Sequence, residues 1–217
     1  KVNDLLESIN ALTMTIDAED LGAIQELPFV EAANPDAERN IGPIDTVDVT
    51  DFSAGLSTWN LDAINVTDFG SDNRQVEYDG TGVYVAVLDT GLINTWRSYF
   101  PEERIAEEYA KSFGGGPFEK TVSEQPNKWE HDVYSHGTHV TSTILGYNLR
   151  GTSVNGVAPM ATVIPVKVLN QNGSGWSSVV AKGITYIGDL KADELKVSPV
   201  VINMSLGGGL LDAVEKA

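Results

Sequence analysis

The sequence predicts an α/β protein: a doubly wound, three-layer parallel sheet preceded by a small α+β unit. Three observations carry this. VYVAVLDT (83–90), ATVIPVKVL (161–169) and VVINMSLGG (200–208) are near-continuous apolar runs. Strands lacking polar alternation are expected where helices cover both faces of a sheet. HGTHVTSTILG (136–146) and SSVVAKGITYIGDLK (177–191) fall between those runs and read as helices, which is the alternation a parallel sheet requires. The front of the chain has a different texture, with a strand, a helix and a second strand compressed into about thirty residues.

Taken in order, SINALTMTID (8–17) is rich in Thr and Ile and reads as a strand. AEDLGAIQELP (18–28) places Leu21, Ile24 and Leu27 on one helical face, with Asp17 at the cap position and Pro28 as the stop. FVEAANPD (29–36) then reads as a second strand. Residues 1–38 form this unit. Residues 39–58 mix Gly, Pro and repeated Asp and Thr without a sustained period and read as a linker. From Trp59 to Ala217 the larger domain begins with the first apolar strand, continues through a long polar stretch from Leu92 to Glu130, and then alternates helix and strand. Asp89 follows one strand and Ser205 ends another, so both are expected at the carboxyl edge of the sheet, where open α/β sheets bind ligands.

Composition narrows the function. There are 31 acidic against 14 basic side chains, net −17, which argues against a polyanionic partner such as nucleic acid. Residues 1–58 hold 12 acids and 2 bases, so the excess is concentrated in the front quarter. The absence of cysteine removes disulfides, thiol nucleophiles and thiolate metal sites together. No apolar run approaches a membrane span, and KVNDLLESIN lacks the form of a signal peptide.

An Asp directly after a buried strand, turned by Thr90-Gly91, can orient a histidine and stabilise its cation. It can equally be a turn cap, and Asp-Thr-Gly also occurs in aspartic proteases, where a paired carboxylate is needed. His136 opens a helix, and Gly137 beside it permits close backbone approach. An imidazole there can bond a carboxylate through one nitrogen and accept a hydroxyl proton at the other. An ordinary polar helix start has the same sequence. His131, His136 and His139 also cluster within nine residues, which leaves a metal-dependent hydrolase as a rival, although neither HExxH nor an evident carboxylate partner accompanies them. No metal ligand set is assigned.

VAVLDTG, then HGTHV 47 residues later, then GVAP and VINMSLGG, resembles the subtilisin-like serine proteases over most of residues 59–217. The resemblance implies the subtilisin type of sheet, incomplete at its C-terminal side, with Asp89 as the orienting acid and His136 as the general base. Asp132, Ser135, Thr138 and His139 match residues that support that histidine. It makes Ser205, Leu206 and Gly207 one peptide-binding edge and Gly173, Ser174 and Gly175 the opposing one, with Leu169 and Trp176 as candidate pocket walls. A bare Gly-Ser-Gly would otherwise read as a turn.

The same resemblance places the nucleophilic Ser and the oxyanion amide beyond Ala217, so the 217 residues are expected to be inactive alone. Gly151-Thr152-Ser153 imitates the nucleophile motif but continues as Val154-Asn155 and lies too early in the chain. ALTMTIDAEDLGAIQELPFVEAANPD (11–36) resembles the second half of an inhibitory propeptide, whose end occupies the cleft until processing within about residues 37–58. Both ends of the precursor are expected to be missing. Implied partners are protein or peptide substrates and the chain's own propeptide, and the implied location is extracellular. No cofactor is required; the resemblance allows structural calcium, but NLRGTSVNG (148–156) shows no recognisable ligands. A non-catalytic peptide-binding protein of the same fold stays as the alternative. Isolated residues 59–217 are expected to be poorly soluble or molten, because the sheet would have an uncovered flank.

Overall fold

The computed structural model describes residues 1–36, 38–40, 57–68, 74–113, 128–150, 152–209 and 212–217. The front begins with an antiparallel hairpin, β1 (Val2–Leu6) and β2 (Ala11–Met14), turned at Asn10 in the left-handed region with φ 52°. β2 therefore pairs with the residues before it rather than after it. This corrects two expectations. Residues 29–36 form no strand, and Phe29 is 81% exposed; the strand that follows is β3 (Glu38–Asn40), across the boundary predicted between front unit and linker.

The front helix is shorter than its pattern suggests. α1 (Leu21–Gln25) follows a 3-10 turn at Ala18–Asp20; Asp17 stands at the cap of that turn, but its side chain makes no capping bond. Leu21 and Ile24 are half-buried and Leu27 is exposed, so the apolar face exists without a core to bury it.

After α2 (Trp59–Ala63), the large domain is organised by four parallel strands: β4 (Tyr84–Asp89), β5 (Lys111–Ser112), β8 (Thr162–Lys167) and β10 (Val200–Asn203), in the order β10-β4-β8-β5. Helix α3 (His136–Leu145) and the hairpin β6 (Gly146–Leu149) with β7 (Thr152–Asn155) lie between β5 and β8 in the chain. The short strand β9 (Ser174–Trp176) and helix α4 (Ser177–Ala192) lie between β8 and β10. β11 (Gly207–Gly208) and α5 (Asp212–Lys216) complete the described elements.

Side chains on the central strands divide between two cores. Ala86, Leu88, Ile164 and Val166 pack with Val179, Val180, Ile187 and Leu190 of α4. Val87 and Val163, offset by one residue, pack with Leu145 of α3, Trp96, Phe100 and Trp129. Successive strand residues point to opposite faces, so an apolar run is what a strand between two helices requires. The predicted doubly wound α/β class is therefore the one observed. The polar stretch from Leu92 hides two anchors: Trp96 is fully buried and Trp129 nearly so, their ring centroids 6.2 Å apart.

Candidate active site

Asp89 is the last residue of β4 and is fully buried. Its Oδ1 accepts from the Thr90 backbone N–H at 2.7 Å and from Thr90 Oγ1 at 3.2 Å. The chain then turns at Gly91, whose φ of +95° suits glycine, and a Cβ there would stand 2.4 Å from the Trp129 carbonyl oxygen. This turn aims the carboxylate at the start of α3. There His136 Nδ1 lies 2.9 Å from each Asp89 oxygen. Because an ionised carboxylate only accepts, it assigns the proton to Nδ1 and leaves Nε2 of the neutral ring as a base.

The start of α3 is fastened by hydrogen bonds. The Asp132 carboxylate accepts from the Ser135 N–H at 2.8 Å, the Thr138 N–H at 2.9 Å and Thr138 Oγ1 at 2.6 Å. Thr138 Oγ1 in turn accepts from the Ile93 N–H at 3.0 Å, and the Gly137 N–H donates to Thr90 Oγ1 at 2.8 Å. A Cβ on Gly137 would meet the Gly91 carbonyl oxygen at 2.4 Å, so the helix start and the Asp89 turn are in direct contact. Ser135 takes a left-handed conformation, φ 72°, to enter this helix. Of the predicted supporting residues, Asp132, Ser135 and Thr138 meet here. His139 is exposed one turn along, with its carbonyl accepting from Ser142 Oγ and Thr143 Oγ1.

Burial pushes the Asp89 carboxyl above its usual range, opposed by the hydrogen bonds from His136 and Thr90. One neighbour is absent from the sequence reading. Lys167, the last residue of β8, is in register with Asp89, 7% exposed, and its Nζ donates to the Thr90 carbonyl oxygen. Burial brings its ammonium down to about 8, against the attraction of Asp132 and then of Asp89.

The two expected peptide-binding edges are also brought together. β3 runs antiparallel between β9 and β11: Asn40 pairs with both Ser174 and Gly207, Arg39 with both Gly175 and Gly208, and Glu38 with Trp176. Gly173 precedes β9 at φ +73°, with the Tyr134 ring against it at 2.9 Å from where a Cβ would lie. Gly175 also has an internal reason to be glycine, since its Cβ would meet the Val168 carbonyl oxygen at 2.4 Å. Ser205 and Leu206 join β10 to β11; Ser205 Oγ accepts from Asn203 Nδ2 at 3.0 Å. Leu169 is fully buried and Trp176 is 40% exposed.

The front segment makes a second contact here. Asp36 accepts from the Ser178 N–H at 3.1 Å and from Ser178 Oγ at 2.7 Å, at the first turn of α4. Asp36, Tyr134 and Lys167 were missed in the sequence. Only Lys167 carried a signal, a lone charge inside an apolar strand.

Ser153 lies in the hairpin that leaves the C-terminal end of α3, whereas His136 opens that helix. Ten residues of helix rise about 15 Å, so the two stand at opposite ends of α3. The segment 148–156 contains no Asp or Glu. Arg74 donates to the Gly156 carbonyl at 3.0 Å and to the Val157 carbonyl at 2.6 Å, and the described residues there do not fit a calcium site.

Fold and site together define a class: a three-layer α/β protein with a carboxylate-oriented imidazole at the carboxyl edge of its parallel sheet, and with β3 held between the β9 and β11 edges. The subtilase family model matches residues 80–216, and the chain belongs to that family. It is similar to alkaline serine exoprotease A of Vibrio alginolyticus, 30% identical over 211 residues covering 97% of this chain and 34% of that protein. It is likewise similar to the extracellular serine proteinase of Thermus sp., 35% identical over 74% of this chain and 33% of that protein. The subtilisin of Bacillus sp. TA39 is 40% identical over 72% of this chain and 34% of that protein. The chain thus spans about a third of the length of these curated relatives. Among solved structures, S41 psychrophilic protease and sphericase each match with a TM-score of 0.50, at 30% and 28% identity, covering 72% of this chain and 46% of theirs.

Proposed function

We propose that the protein to which these residues belong is a secreted serine endopeptidase made as a precursor. In this reading residues 1–38 are part of an inhibitory propeptide, residues 39–58 carry the processing site, and residues 59–217 are the N-terminal and central part of the catalytic domain. The observation that carries the reading is the Asp89–His136 pair, with Nδ1 at 2.9 Å from both carboxylate oxygens in a buried setting. Such a pair fixes the ring, places its basic Nε2 outward and stabilises the imidazolium that proton transfer creates.

The reaction follows from these roles. His136 Nε2 takes the proton of a Ser hydroxyl supplied from outside residues 1–217, and the Ser oxygen attacks the peptide carbonyl. The imidazolium then gives its proton to the leaving amine, and water releases the acyl group by the same exchange. Substrate backbone is held as an added strand between 173–175 and 205–207, which gives affinity with little demand on side chains.

The front segment supports its own assignment by the same geometry. β3 occupies the space between β9 and β11 as a peptide would, and Asp36 fastens its approach to α4. The processing site is placed within about residues 37–58, of which 41–56 lie outside the described residues. The Vibrio relative aligns over 211 residues, a length that includes part of the front segment. Its named class, and the word extracellular in the name of the Thermus relative, support the activity and the location.

The test is hydrolysis of a peptide substrate by the whole protein. Asp89→Asn and His136→Ala are expected to lower kcat/KM by about 10⁴-fold or more while leaving the fold intact by circular dichroism, the scale general to Asp-His-Ser triads. Hydrolysis unaffected by either substitution would reject the reading.

A further inference from the structure

The first N–H groups of a helix have no partner within it and depend on an acceptor from elsewhere. α4 brings none of its own: its cap residue is Trp176, which makes no side-chain capping bond, and its first turn carries no acidic residue. The acceptor comes from residue 36. One Asp36 oxygen accepts from the Ser178 N–H at 3.1 Å and the other from Ser178 Oγ at 2.7 Å, and Ser178 is only 4% exposed. One turn further along the same face, Lys182 Nζ stands 4.0 Å from Asp4 Oδ2, so a second carboxylate of the front segment meets the same helix. The carboxylate site is also joined to the peptide edges. On the domain side β9 (Ser174–Trp176) leads directly into α4. On the front side Asp36 lies two residues before Glu38, which pairs with Trp176, and four before Asn40, which pairs with Ser174 and Gly207. In that register the residue four positions ahead of the Gly207 partner reaches the start of α4, as Asp36 does.

We propose that the first turn of α4 is a substrate subsite for an acidic side chain, with Ser178 as its specificity-determining residue. Once the front segment is removed, the Ser178 N–H and Oγ take the carboxylate of a substrate Asp or Glu that lies four residues ahead of the one opposite Gly207. Its use by substrate rests on the reading that substrate backbone takes the place of β3. A carboxylate is favoured over an amide because both contacts are donors and a helix N-terminus carries the positive end of the dipole. Lys182 adds a cation to the same face.

The test is hydrolysis, by the processed whole protein, of an otherwise uncharged peptide series in which one Asp, or one Asn as its neutral match, is moved through successive positions ahead of the cleaved bond. One position is expected to prefer Asp, with kcat/KM about fivefold above its Asn match, the scale of a helix cap, and with the difference in KM. Ser178→Ala, which keeps the N–H and loses Oγ, is expected to bring that ratio to about twofold or less. Ser178→Asp, which places a carboxylate on the helix N-terminus, is expected to invert it. Each ratio compares two substrates on one enzyme, so a smaller folded fraction in a variant does not alter it. If Ser178→Asp does not fold, Ser178→Ala decides alone. No Asp preference at any position, or a preference unchanged in Ser178→Ala, overturns the subsite. Failure of the endopeptidase reading shows separately, as no hydrolysis of the series or hydrolysis that ignores His136→Ala, and it overturns the subsite with it. His136-dependent hydrolysis without an Asp preference overturns the subsite alone.

Discussion

The front unit and the central sheet are built from similar apolar residues, yet they are held in opposite ways. β4 and β8 lie between two buried clusters, with Leu88, Ile164 and Val166 fully covered, while Val201 of the flanking β10 is 53% exposed. In residues 1–36 only Leu6 is buried, while Val2, Leu5, Leu12 and Phe29 are exposed. What the front has instead are directional attachments to the large domain: β3 inserted between β9 and β11, Asp36 on Ser178, and Glu31 accepting from Lys216 Nζ at 2.6 Å. A segment with little core of its own depends on such attachments for its order, which fits the removable propeptide proposed for it. The central strands β4 and β8 are held instead by the buried clusters on both their faces.

The contrast can be broken most sharply in the core. Leu88→Ala is expected to cost about 2–5 kcal/mol of stability, since it opens a cavity among fully buried neighbours. Leu21→Ala, on a helix with no buried residue, should cost less than about 0.5 kcal/mol. Urea unfolding of both variants checks this, and equal losses would mean that the front has a core of its own. A smaller effect sharpens the other half. Asp36→Ala removes the capping contact on α4 and is expected to weaken docking of the front segment by about 1 kcal/mol. Faster amide exchange at Glu38–Asn40, with exchange in β4 and β8 unchanged, would be the readout. Exchange that accelerates equally in β4 would show that Asp36 supports the whole domain instead.

The difference also explains what could be read in advance. The central strands and both long helices were legible because their burial on two sides leaves a dense apolar signature. Asp89 and His136 were legible as positions, since a carboxylate after a buried strand and an imidazole at a helix start are local features. Their 2.9 Å contact joins residues 47 apart, so only the resemblance anticipated it. β3 left no local signature, because Glu38-Arg39-Asn40 takes its strand form from the edges on either side. The same holds for residues 29–36, where an apolar start suggested a strand that no partner supplies. Trp96 and Trp129 were hidden by the charged residues around them. Several of these carry structural contacts: Arg97 bonds Glu130 at 2.8 Å and Glu107 at 2.5 Å, and Trp96 Nε1 donates to Glu130 at 2.8 Å.

The most direct test of the account is inhibition of the processed enzyme by a peptide of residues 1–40. If the front segment lies where substrate lies, the peptide should act competitively, raising KM in proportion to its concentration and leaving kcat unchanged. A fall in kcat at constant KM, or no inhibition by a peptide shown to bind, would contradict the placement of the front strand in the cleft beside Asp89 and His136.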